Sequence, residues 1–374
     1  MASSSETLQT ISRLTSLSEV VAMVDLRVKP VTPRTLDAAA AAGRALAVDA
    51  MAAARPSSAL ALLDGWALAA DATLGAGPYA PVPLIRPPQR IETGQVLPPD
   101  ADSVAPFDTV KMTNGFAEAL ATINPGDGVL PAGGDNDPHI PLRRAGERLR
   151  MTDLAAFAGV GLSRIAVREP RIRVLPLRGT AIVIAAARLL ANDIERRGGA
   201  AKLDDPGRDL GTVLASESAD AIVVIGGTGS GRNDTGVHTM SRDCEVAVHG
   251  MAITPGETAA LGFAGPRPLL LLPGRLDAAL SVWLTVGRRI QDRLAGVPGS
   301  ERQPFEILTL SRKISSTVGF TEIVPVRRIQ DSVEPLASKY LPLSALSRSD
   351  GWVLVPAESE GYAVGSTVQV KPWP

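Results

Sequence analysis

Residues 221–225 read Ala-Ile-Val-Val-Ile, and Gly226-Gly227 follow without a spacer. A strand with one wet face would alternate apolar with polar residues. This run is apolar throughout and β-branched at four successive positions, which suits a parallel strand covered by helices on both faces. The surrounding chain supplies the cover. Helices are predicted over 180–197, 207–217 and 276–294, and short strands over 171–175, 200–203 and 269–272. That alternation predicts a three-layer α/β domain over 168–298. Its glycine loop should lie at the carboxyl end of a central strand, where ligands bind in doubly wound sheets.

The flanks read differently. Residues 16–30 keep helical spacing through Val20, Met23, Val24 and Val28 until Pro30, and 36–54 are Ala-rich and helix-prone around Gly43-Arg44. Residues 152–162 form another apolar helical face. Between them, 56–141 mix prolines, glycines and short apolar runs, as in a small β-rich module. Strands are expected again at 305–310, 322–326, 352–355 and 367–370. The fold class is α/β plus β, an elongated multidomain chain. Its parts are a helical linker domain (15–55 and 142–167), the β-rich domain (56–141), the α/β domain (168–298) and a C-terminal β domain (304–374).

Composition removes several function classes. Lys plus Arg number 38 against 39 Asp plus Glu, so a bulk electrostatic partner such as nucleic acid or an anionic membrane is not expected. One cysteine, Cys244, and three scattered histidines exclude a disulfide framework, a haem or iron–sulfur site and a structural zinc site. No signal peptide or membrane span is read, and the expected location is cytoplasmic.

Several segments could carry chemistry. Gly226, Gly227, Thr228, Gly229, Ser230 and Gly231, followed by Arg232-Asn233-Asp234, could cradle a phosphate with backbone amides. Walker A spacing is present, but Arg232-Asn233 stands where Lys-Ser/Thr is needed, so a P-loop NTPase is excluded. Asp64-Gly65-Trp66-Ala67 is either a turn or a site. In an extended chain Asp135, Asp137 and His139 would share a side and could hold a hard cation. Asp204-Asp205 closes a predicted strand, as a ligand contact or as an N-cap for a helix at 207. Pro273-Gly274-Arg275 closes another, as a ligand-facing or structural turn. The nine arginines of 143–178 read as a solvated hinge, and Cys244 as a small core residue.

Taken in order, these segments resemble the molybdopterin molybdenumtransferase family, MoeA and the gephyrin E domain. Ala42-Gly43-Arg44-Ala45-Leu46-Ala47 is similar to the family's A-x-G-R-x-L-A, Asp64-Gly65-Trp66-Ala67 to D-G-Y-A, and Ile91–Pro98 to I-x-T-G-x-x-x-P. Gly133-Gly134-Asp135 is a weaker echo of R-x-x-G-E-D. Gly226-Gly227 with Asp234, Pro255-Gly256 and Leu272-Pro273-Gly274 then fall in the expected order. The resemblance spans about 15–374. It implies insertion of molybdate into adenylylated molybdopterin with AMP release, assisted by Mg²⁺, in a homodimer. Asp64 and Asp135 would act near the metal and molybdate. Asp205, Asp234, the glycine loop and Pro273-Gly274-Arg275 would hold the pterin nucleotide. A molybdopterin adenylyltransferase or a recipient molybdoenzyme is an implied protein partner.

The departures concern charge. The family's K-P-G-K-P is Thr254-Pro255-Gly256-Glu257-Thr258 here, its T-G-D-E is Leu177-Arg178-Gly179-Thr180, and its P-G-N-P is Pro273-Gly274-Arg275-Leu276. No lysine lies between Lys202 and Lys313, so Arg232 and Arg275 are the expected anion partners. Three alternatives stand beside metal insertion. One is a paralogue that binds molybdopterin or the mature cofactor without catalysis. Another is adenylyl transfer, because the loop also resembles the G-G-T-G-x-x-x-R-D of molybdopterin adenylyltransferases. The third is an interaction scaffold.

Overall fold

The computed structural model describes residues 11, 13–216, 218–229, 235–299 and 305–374. The chain divides into two compact units. One comprises 1–48, 145–150 and 166–374, and the other 49–144 and 151–165.

The first unit is built on a six-stranded sheet. Its strands are β1 (Arg171–Pro176), β2 (Ala200–Leu203), β3 (Ala221–Ile225), β4 (Glu245–His249), β5 (Ala260–Ala264) and β6 (Arg267–Leu272), in the spatial order β2-β1-β3-β6-β5-β4. β2, β1, β3 and β6 run parallel, while β5 and β4 are antiparallel additions. The β3 side chains divide by parity. Val223 and Ile225 pack with Val183, Leu190 and Trp283, whereas Ile222 and Val224 pack with Leu210, Val213 and Met240. All five β3 residues are buried. Helix α1 (Ala181–Arg196) and the helical run 276–295 cover the first face. Helices α2 (Leu210–Ala215) and α3 (Gly236–Asp243) cover the second. The N-terminal helix Leu17–Arg27 joins the first face through Val20 and Val24, and Ser16 with Glu19 closes a capping box at its start.

Run 276–295 is not one regular α-helix. Its middle, Trp283–Gly287, is a π turn. A Cβ at Gly287 would sit 2.1 Å from the Trp283 ring, so glycine leaves room for the indole. Trp283 Nε1 donates to Asp193 Oδ2 at 2.7 Å, and Arg288 donates twice to the same carboxylate at 2.8 Å. Burial pushes the Asp193 carboxyl up. The Arg288 and Trp283 bonds pull it down by more, so it stays below the usual carboxylate range.

The C-terminal strands pair as a mixed sheet. Thr321–Ile329 lies between Ser332–Pro335 and Gly351–Val355, and Glu306–Leu310 pairs with Thr367–Val370. Ile253–Thr254, from the segment between β4 and β5, adds itself parallel to Thr321–Glu322. In the second unit Gly65–Leu68 is the middle strand between Gln89–Ile91 and Ser103–Pro106. A hairpin of Val110–Thr113 and Phe116–Ala119 turns at Asn114-Gly115, both with positive φ.

Four sequence expectations need correction. Residues 36–54 are not helical. Arg34–Asp37 is a strand, Ala38–Ala40 a single 3₁₀ turn, and Gly43 takes φ +77°. Helix propensity loses here to tertiary packing, because Gly43 lies against Gly198, where a Cβ would come 2.2 Å from the Gly43 carbonyl oxygen. The helix after β2 starts at Leu210, capped by Asp209, whose Oδ2 accepts from the Thr212 amide at 2.7 Å; neither Asp204 nor Asp205 is its cap. The arginines of 143–178 are solvated only in part: Arg144, Arg150, Arg164, Arg171 and Arg178 are exposed, but others are drawn into the fold. Arg173 is 2% exposed and pairs with Asp204, Arg171 pairs with Asp220, and Arg148 with Asp292. Finally, 135–139 is not extended. Asp137 Oδ1 accepts from the His139 amide at 2.8 Å, which closes a turn.

Candidate functional site

Three loops leave the carboxyl ends of β1, β3 and β6 side by side. Backbone bonds extend the sheet just past its strands and fix the loops. The Leu177 amide donates to Ile225 O at 3.0 Å, and the Gly226 amide to Leu272 O at 2.8 Å. Together Arg178, Gly226–Gly229, Thr258 and Pro273–Arg275 line a cavity of about 330 Å³. A second cavity, of about 240 Å³, shares Gly227 and Arg178 with the first and reaches Asp209, Gly236 and Thr239.

Gly227 borders both. Its φ is +75°, and a Cβ would stand 2.7 Å from Leu177 Cδ1 and 2.8 Å from the Gly236 nitrogen. No other residue fits without moving the start of α3. Thr228 is buried, and its Oγ1 lies 2.9 Å from Thr258 Oγ1, joining the glycine loop to the 254–258 segment.

The charges are arranged by pairing. Arg275 donates from Nε and Nη2 to Asp277 at 3.1 and 2.5 Å, and its guanidinium lies 4.3 Å from the Tyr340 ring centroid. The Asp277 bond raises the Arg275 pKa further above its ordinary value. Asp277, itself buried, also accepts from the Leu341 amide at 3.2 Å. The expected counter-cation is therefore present but held by a carboxylate. Glu257 turns back on its own loop, accepting from Thr254 Oγ1 at 2.7 Å and the Gly256 amide at 3.0 Å.

The structure brings Gly226, Gly227, Thr228, Gly229, Pro273, Gly274 and Arg275 around one cavity. Ser230, Arg232 and Asp234 lie outside the described residues. Asp205 is exposed in the turn after β2 and lines neither cavity, while its neighbour Asp204 is sealed against Arg173. Asp64 and Asp135 belong to the second unit. Asp64 is exposed, and its Oδ1 accepts from the Thr93 amide at 2.7 Å and hydroxyl at 2.9 Å. The Thr93 amide, then its hydroxyl, hold the Asp64 carboxyl below the usual range. Asp135 is also exposed, and its amide donates to Arg55 O at 2.9 Å. Among the described residues no three His, Cys, Asp or Glu side chains converge as a metal site. Asp64 and Asp135 thus form no protein cage for a cation. They fit only a Mg²⁺ that takes most of its ligands from water and substrate phosphates. Cys244 follows α3, half-buried, and burial pushes its thiol up, which suits a packing role.

Arg178 and Thr258 were not among the expected site residues. In the sequence Arg178 stands in Leu177-Arg178-Gly179-Thr180, a segment without the family's acidic pair. Its position at the end of a parallel strand was the usable signal.

The family profile of the MoeA N-terminal region (domain I and II) matches residues 6–161, and that of the MoeA C-terminal region (domain IV) matches 308–373. The chain belongs to the MoeA family. A molybdopterin biosynthesis protein of Methanocaldococcus jannaschii is 25% identical over 348 residues, covering 83% of this chain and 84% of that protein. Molybdopterin molybdenumtransferase 1 of Mycobacterium tuberculosis is 27% identical over 315 residues, covering 75% and 73%. The crystal structure of a molybdopterin biosynthesis MoeA protein from Pyrococcus horikosii superposes with a TM-score of 0.77 over 97% of this chain and 100% of that one, at 24% identity. At that identity the likeness concerns the fold. No helix among the described residues is long and apolar enough to cross a membrane.

Proposed function

We propose that this chain acts in molybdenum cofactor biosynthesis as a molybdopterin molybdenumtransferase, inserting molybdate into adenylylated molybdopterin with release of AMP. The observation that carries this reading is the paired cavity at the carboxyl ends of β1, β3 and β6, glycine-walled and bordered by Arg178 and Arg275, in a chain of the MoeA family. Two lobes that share a bare backbone suit a ligand with a pterin at one end and a nucleotide at the other. Arg178, which borders both lobes, is placed for the linking pyrophosphate. Mg²⁺, when bound, would neutralise that pyrophosphate. Asp64, ionised at neutral pH, would orient molybdate or metal-bound water, and Asp135 would share that role. The reading includes a homodimer and a cytoplasmic protein that receives its substrate from an adenylyltransferase and passes product to a molybdoenzyme.

The test is AMP release from adenylylated molybdopterin with Mg²⁺, with and without molybdate. Molybdate-dependent release is expected. Asp64→Asn should lower the rate at least tenfold while leaving substrate affinity within a factor of two. Equal rates for the variant and the wild type would remove Asp64 from the chemistry. In binding titrations Arg178→Gln should weaken the substrate ten- to a hundredfold, as expected for a lost charged hydrogen bond of about 1.5–3 kcal/mol. Arg275→Gln should weaken it severalfold at most, because its Nε and Nη2 already serve Asp277.

A second reading has its own support. Glu257 stands where the family pattern has a lysine, and its carboxylate is folded onto Thr254 and Gly256. A site short of cations could hold molybdopterin or mature cofactor without cleaving the adenylate. Tight binding with no AMP release would select this reading.

A further inference from the structure

A cavity larger than the glycine-loop site lies elsewhere on the first unit. It lies at the opposite, amino ends of the parallel strands, where Arg171 opens β1, Asp220 precedes β3 and Arg267 opens β6, and its volume is about 570 Å³. Val31, Pro266 and Leu294 provide apolar wall. Arg27, Lys29, Arg34, Arg171 and Arg267 supply the charge.

The partners of these cations leave a positive excess. Arg267 donates to two neutral acceptors, Ser216 O at 2.5 Å and Leu214 O at 2.6 Å, and Lys29 Nζ donates to Leu26 O at 2.8 Å. Carbonyl oxygens fix a cation in place without cancelling its charge. Arg34 and Arg44 share the one carboxylate of Glu169. Arg171 is matched by Asp220 and Arg27 by Glu245. Five cations and two carboxylates, Glu169 and Asp220, therefore line the pocket, while Arg44 and Glu245 are pairing partners outside its lining. The Arg44 guanidinium is held below its ordinary value, first by burial and then by the Arg34 charge beside it. Of that pair only Arg34 lines the cavity, where a bound anion would offset its charge.

We propose that this cavity is an anion site for a phosphate-bearing small molecule of about nucleotide size, distinct from the glycine-loop site. Its volume falls within the range of small-molecule pockets. The oriented guanidiniums suit phosphate oxygens, and the apolar wall leaves room for a less polar remainder of the ligand.

The probe is inorganic pyrophosphate, titrated calorimetrically into the full-length protein at low ionic strength. Lys29→Gln combined with Arg267→Gln should weaken one class of binding at least tenfold. Arg178→Gln should leave that class unchanged and affect only pyrophosphate held at the glycine loop. Asp220→Asn, which removes a competing carboxylate, should tighten binding severalfold, a result that damage to the fold cannot produce. Should the double variant unfold, exposed Lys29→Gln alone should still weaken binding severalfold. Binding that is unchanged in the lysine variant, weakened in Asp220→Asn, or abolished wholly by Arg178→Gln overturns the proposal. The glycine-loop reading survives any of those results, since AMP release tests it separately.

Discussion

Asp193→Ala should destabilise the first unit by about 3–5 kcal/mol, the cost expected when one partner of a buried ion pair is removed. The substitution leaves the Arg288 guanidinium and the Trp283 indole N–H without their acceptor, both well inside the protein. Urea denaturation followed by the tryptophan signal measures it. Asp193→Ala with Arg288→Met should recover much of the loss, because removing both charges leaves no orphan. A single variant as stable as the wild type would show that the π turn positions Trp283 without the carboxylate. The same group makes stability depend on acid. Its folded pKa lies below that of the unfolded chain, so the contribution is complete above about pH 4 and is lost as pH falls through the folded value. Asp193→Asn should flatten that part of the stability–pH curve.

Gly227→Ala is the second large effect, and it falls on binding. The added methyl meets Leu177 and the α3 backbone at under 3 Å, at a φ of +75°. Either α3 shifts or the loop moves into the cavities, so affinity for adenylylated molybdopterin should fall at least tenfold. Gly265→Ala is the matched control. It has φ +62° with no atom within 4 Å of its Cβ, and carries only the left-handed backbone cost of about 1–2 kcal/mol. It should bind like the wild type. If Gly227→Ala also does so, the glycine loop does not hold the ligand.

What could be read in the sequence followed from periodicity and its limits. The run Ala221–Ile225 announced a doubly covered strand, and the sheet has it between β1 and β6 with Gly226 at its carboxyl end. The antiparallel strands β4 and β5 were not anticipated. Ala260-Leu261-Gly262-Phe263 has neither β-branching nor alternation, and its strand identity comes from pairing with β6. Alanine misled at 36–54 because a glycine–glycine contact across the fold overrides helix propensity there. At the site, motif order located the loops but not the pairing of charges. Nothing local shows that Arg275 is held by Asp277, or that Asp204 is sealed by an arginine on β1.

Strand Ile253–Thr254 leaves the region between β4 and β5 to become an outer member of the C-terminal sheet, and Leu280 and Leu284 pack against Ile323 and Trp352. The C-terminal region is thus not a cassette. Produced alone from 304 onward, it would present the bare rim of Thr321–Glu322 and two orphaned apolar side chains to water, an invitation to edge-to-edge aggregation. A fragment that begins upstream of Ile253 would carry its own cover. Recombination could therefore exchange this terminus between relatives only together with the loop that completes it, so the sheet and the 254–258 border of the cavity are inherited as one piece.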